Sequence, residues 1–138
     1  MDVAADKPKI LGRDQILKAE DIKREFVDMS YWWGDGGVVV RGMTGKQRGR
    51  FEAKMGLNKG KDQQKNWERF RAEMLVETVV DYDDQPIFRL QDVEALNEKS
   101  AEALDHLVNV ARRLSGYRKE DVDEMTKNSQ EDQSDDFI

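Results

Sequence analysis

His106 is the only imidazole in the chain, and no cysteine accompanies it. Zinc needs three or four protein ligands, so a lone histidine on a helix flank does not make a transition-metal site. Without cysteine there are no disulfides, thiolate clusters or thiol nucleophiles. Asp81, Asp83 and Asp84 cluster as calcium-loop carboxylates do, but the glycine turn and distal bidentate glutamate are missing, and the stretch reads as a surface turn. Asp121, Asp123 and Glu124 sit in polar company that gives no reason for a raised pKa, so no acid/base pair forms there. Gly34-Asp35-Gly36-Gly37 precedes a strand, where a phosphate site needs a helix N-terminus. Gly45 to Arg50 does open a helix but lacks the residue order of a P-loop. These residues predict no catalytic group, no bound cofactor and no metal, and therefore not an enzyme.

Two features remain. From Arg41 to Ala72 there are ten Lys and Arg against three acids. With Trp67 and Phe70 interleaved, that stretch has the ingredients of a nucleic-acid groove. Trp67 and Phe70 are needed on a buried helix face, however, and a solvated face accounts for the charges, so nucleic acid is a disfavoured alternative. The second feature is Tyr31-Trp32-Trp33. Consecutive strand residues face opposite ways, so both indoles cannot enter one core layer. Either a bulge turns one round, or one covers a neighbour, or one lies exposed. Exposed tryptophan anchors protein interfaces, which makes Trp32 and Trp33 the candidate partner-binding residues.

The elements that position these residues follow from periodicity. Leu104, Leu107, Val108, Ala111 and Leu114 recur at steps of three and four, the spacing of one helix face. Ser100 supplies an N-cap, Gly116 a stop, and Arg112 and Arg113 suit the dipole at the C-terminal end. This helix, Ser100 to Gly116, is the organising element. Thr44 and Gln47 have the spacing of a capping box at the start of another helix, with Phe51 and Met55 as its apolar pair. From Asn66 to Val80, Trp67, Phe70, Met74 and Thr78 line one helix face, widened by Leu75, Val76 and Val79, beside the organising helix. Asp92 to Glu98 predicts a short helix with Val93 and Leu96 inward, Asp14 opens a short N-terminal one, and a further helix follows Arg118. Residues 23–42 predict a small antiparallel sheet, with the glycines turning the hairpin. The glycine- and lysine-rich stretch 56–65 reads as a loop. The fold class is thus α+β: a small N-terminal antiparallel sheet followed by about four helices, within a single domain over residues 1–128. The acidic end, 129–138, is predicted to be disordered because it has little apolar surface to offset its ordering entropy.

Of the residues, 38% are hydrophobic and 38% charged, with a net charge of −6. The charge is uneven, since residues 119–138 hold two lysines against eight acids. Overall acidity disfavours non-specific nucleic-acid binding. The first twelve residues lack the apolar core of a signal peptide, and no stretch has the roughly 20 apolar residues that span a bilayer. The expectation is a soluble intracellular protein with no membrane partner.

The order of these elements resembles a known family. A charged N-terminal segment, ILGRDQILKAEDI, precedes a strand and turn, VVVRGMTGKQRGRFE. A helical middle follows, then PIFRLQDVEALNEKSAEALDHLVNVARRLSG and the acidic close EDVDEMTKN. From about Ile10 to Asn128 the chain resembles the tail assembly chaperones of long-tailed, non-contractile bacteriophages and prophages. The resemblance implies a non-enzymatic assembly factor that binds the tape measure protein, keeps its long helical chain soluble and helps tail tube subunits polymerise along it. It implies the tape measure and the major tail tube protein as partners, with self-association a further option. The implied location is the cytoplasm of the infected or lysogenic host, with the protein absent from the mature virion.

Overall fold

In a computed structural model, which describes residues 7–57 and 68–118, a three-stranded antiparallel sheet packs against helices. The strands are β1 (Arg24–Asp28), β2 (Gly37–Arg41) and β3 (Val79–Val80), in that order across the sheet. The helices are α1 (Arg13–Lys18), α2 (Ser30–Trp33), α3 (Gly45–Glu52), α4 (Phe70–Thr78), α5 (Val93–Asn97) and α6 (Ala101–Leu114). A π-turn over Ala53–Leu57 extends α3, and a 3-10 turn over Leu90–Asp92 leads into α5. The architecture is α+β as expected, with four of the helices after the first two strands. The disordered tail expected at 129–138, the helix expected beyond Arg118, and Lys59, Lys61, Lys65 and Trp67 lie outside the described residues.

α6 organises the core, touching both α4 and the first two strands. Ser100 Oγ accepts from the Ala103 N–H at 3.3 Å, and Gly116 ends the helix at φ +82°. Leu104, Leu107, Val108 and Ala111 are buried along one face, and Leu114 is half-buried at its end. At that end, Gly42 approaches so closely that a Cβ would lie 2.4 Å from the Leu114 carbonyl oxygen. The Met43 N–H donates to Ser115 Oγ at 3.0 Å, which fixes the exit of β2 to the exit of α6.

The capping box of α3 forms as its spacing predicts. The Gln47 N–H donates to Thr44 Oγ1 at 3.1 Å, and the Thr44 N–H donates to Gln47 Oε1 at 2.9 Å. Phe51 is buried and meets Phe70 edge to face, the ring centroids 5.4 Å apart. Val93 and Leu96 of α5 are buried beside α4.

Two local expectations are corrected. The periodicity carried a helix through Val80, but α4 ends at Thr78 and the two valines enter the sheet, Val79 opposite Val40 and Val80 opposite Val39. β-branched side chains fit a pleated surface better than a fraying helix end, and β2 offers them an edge to pair with. The second correction concerns Tyr31 to Trp33, which form the helical turn α2 and not part of a strand. Asp28 Oδ1 accepts from the Ser30 N–H at 2.9 Å, and the Trp33 N–H donates to the Met29 carbonyl at 2.9 Å. Gly34 and Gly36, at φ +97° and +125°, then return the chain to β2.

Candidate partner-binding site

Because α2 is helical, the two indoles no longer alternate across a strand, and their environments differ. Trp32 packs against the core, and its Nε1–H donates to Glu102 Oε1 at 3.0 Å. Its ring lies 5.2 Å from His106 and 5.0 Å from Tyr31, the latter edge-on. Glu102 and His106 are one turn apart on α6, so Trp32 clamps α2 to the organising helix. Trp33 is 36% exposed and Tyr31 83% exposed. The sequence-predicted pair is therefore split into a support, Trp32, and an accessible aromatic, Trp33. Tyr31 is a second accessible ring that the strand reading passed over. The signal that would have found it is Asp28-Met29-Ser30, an aspartate two residues ahead of a free N–H, which favours a turn.

The electrostatics hold the base of this turn. The Ser30 backbone N–H keeps the Asp28 carboxyl below its ordinary range, the Ser30 hydroxyl adding to the effect. His106 is exposed on the flank of α6 beside Trp32. Among the described residues no cluster of His, Cys, Asp or Glu could hold a metal. No described helix is long and apolar enough to cross a membrane.

Among the described residues, five cations of the basic stretch form ion pairs. Arg50 grips Glu77 through two bonds, of 2.7 and 2.6 Å. Lys54 and Arg69 both reach the buried Glu73, at 3.1 and 3.2 Å. Arg71 pairs with Asp105 across to α6 at 2.5 Å. Arg48 bonds Glu52 at 2.8 Å and lies 4.0 Å over the Tyr117 ring, whose hydroxyl donates to Glu52. Arg48 holds the Glu52 carboxyl low, whereas burial and then Glu52 push the Tyr117 phenol well above its ordinary value. These cations join α3, α4 and α6 to one another, which leaves less of their charge to meet a phosphate backbone.

No curated protein matches the chain. A solved structure described as that of the bacteriophage HK97 tail assembly chaperone superposes with a TM-score of 0.54 at 18% identity, over 73% of this chain and 94% of that one. At that identity the likeness shows a shared fold. A family model described as phage tail assembly chaperone matches residues 13–132. With most of its length inside that match, the chain belongs to the phage tail assembly chaperone family.

Proposed function

We propose that this protein is a non-enzymatic chaperone that binds the tape measure protein, keeps it soluble and promotes tail tube polymerisation. The supporting observation is the pair of accessible rings on α2, Tyr31 and Trp33, held on a turn that Trp32 anchors to α6. A rigid aromatic platform suits the apolar face of a helical client, because little side-chain entropy is lost when it binds. Trp33 and Tyr31 are the contacts in this reading, and Trp32 acts by positioning them. The major tail tube protein is the second partner. The site of action is the cytoplasm of the host, and the finished virion lacks the protein. The functional unit is a single domain over residues 1–128.

The experiment is co-expression with the long helical client, followed by solubility and pull-down. The reading expects the client to stay soluble and to co-purify with the wild type, and to precipitate alone. With Trp33→Ala the client should be lost although the variant is folded. A client that is equally soluble with and without this protein would remove the proposal.

A further inference from the structure

The aromatic turn α2 is rimmed by charge of one sign. Residues 28–37 hold Asp28 and Asp35 and neither lysine nor arginine. The Met29 N–H donates to the Gly36 carbonyl at 2.9 Å, so the two aspartates stand at the two ends of one closed turn. Glu102, whose Oε1 accepts from Trp32 Nε1–H at 3.0 Å, adds a third carboxylate from the first turn of α6. All three are exposed, and among the described residues none of them forms an ion pair. The Ser30 backbone N–H, which lowers the Asp28 carboxyl, holds that group in its charged form.

Neighbouring carboxylates are neutralised where they stand. Asp105 pairs with Arg71 and Glu25 with Arg113, while the buried Glu73 takes both Lys54 and Arg69. The cations in the last turn of α6, Arg112 and Arg113, are ten and eleven residues beyond Glu102, about 15 Å along the helix. Such a separation exceeds the distance over which exposed charges act at ordinary salt. Against the three carboxylates of the rim stands His106, on the Trp32 ring.

The rings add to the same preference. The face of a phenol or an indole carries the negative lobe of its quadrupole and attracts an ammonium or guanidinium group. Tyr31 and Trp33 are both accessible to such a group. An apolar seam alone would satisfy the rings, but the carboxylates set a condition on what flanks it. Lysine and arginine meet that condition, since their stems lie along apolar surface while their heads reach the carboxylates. We infer that α2 selects an amphipathic helix whose apolar seam is flanked by lysine or arginine, and that it rejects one flanked by acids. This selectivity rests on α2 being the client contact, and it states which kind of client segment is taken.

The probes are two labelled synthetic peptides of about 20 residues, long enough to form helix, with the same leucine seam and either lysine or glutamate on both flanks. Their affinity for the full chain is read by fluorescence anisotropy. The rim variant is Asp28→Asn/Asp35→Asn/Glu102→Gln, in which each amide keeps an oxygen to accept from the Ser30 N–H and from Trp32. The control, Asp83→Asn/Glu94→Gln/Glu98→Gln, removes the same charge from exposed sites outside α2 and α6. Circular dichroism checks that each is folded, and Asp35→Asn/Glu102→Gln replaces the rim variant if that one is not. Wild type should prefer the lysine peptide by at least about tenfold at about 0.05 M salt, and by less at about 0.5 M. The preference should fall below about threefold in the rim variant and persist in the control. Trp33→Ala should weaken both peptides. Equal binding of the two peptides that still needs Trp33 would overturn the selectivity and leave α2 as the contact. A preference lost equally in the control would overturn it too, as an effect of net charge. Binding of neither peptide, or a preference untouched by Trp33→Ala, would remove both the selectivity and the contact.

Discussion

Replacing Trp32 with alanine removes three supports of α2 together: the packing of a half-buried indole on the core, its edge contact with Tyr31, and its hydrogen bond to Glu102. Truncating a fully buried tryptophan costs about 3–5 kcal/mol. Trp32 is only partly enclosed, which brings the packing loss to roughly 1.5–2.5 kcal/mol on area burial. The exposed bond to Glu102 adds about 0.5–1 kcal/mol. Trp32→Ala should therefore lose ~2–3.5 kcal/mol, and Trp32→Phe, which keeps a ring but drops the donor, about 1 kcal/mol. Urea melts read both, with the m-value unchanged if the denatured state is unaffected. Trp33→Ala should cost no more than about 0.5 kcal/mol, as surface substitutions do. If Trp32→Ala loses less than Trp33→Ala, the division into support and contact is wrong.

Leu107 is fully buried on the face of α6, so Leu107→Ala should cost about 2–5 kcal/mol in the same melts, and a loss under about 0.5 kcal/mol would move it out of the core. Acid should weaken the fold through Glu52 and Asp84, whose folded carboxyls lie below their ordinary values because of Arg48 and Arg24. A depressed carboxyl stabilises above its unfolded pKa and loses that contribution as pH falls through the folded one, so Glu52→Gln should flatten the acid limb of stability against pH. Tyr117 works in the opposite direction: its raised phenol pKa contributes stability that is intact below about pH 10 and lost as pH rises further. An ultraviolet titration of wild type against Tyr117→Phe should show the Tyr117 ionisation coinciding with alkaline unfolding.

Much of the fold was legible because its signals are local. Ser100 and Gly116 bracket α6, and Thr44 and Gln47 satisfy each other's backbone across three residues. The glycines placed the hairpin, and Val93 and Leu96 their own burial. The site was harder to read, because Tyr31, Trp32 and Trp33 have strand-like composition and it takes the Asp28 carboxylate on the Ser30 N–H to turn them into a helix. Val79 and Val80 continue the helical pattern of α4, and it is β2, about forty residues earlier in the chain, that claims them as strand. The basic stretch looked available because most of its counterions are distant in sequence: Glu77 for Arg50, Glu73 for Lys54, Asp105 for Arg71. Tyr82 folds back to stack on Phe26, a contact that no periodicity announces.

The central claim is tested most directly by equilibrium binding of a soluble helical fragment of the tape measure protein, and in parallel of a single-stranded oligonucleotide, across a salt series. The proteins compared are wild type, Trp33→Ala and the charge reversal of Lys59, Lys61 and Lys65. An aromatic anchor predicts that Trp33→Ala, still folded, loses about thirtyfold in affinity for the fragment. The lysine reversals should change it little, because exposed rim charges tune rates more than affinity. Oligonucleotide binding whose logarithm falls linearly with log salt and is abolished by the lysine reversals, together with no affinity for the fragment, would contradict the account.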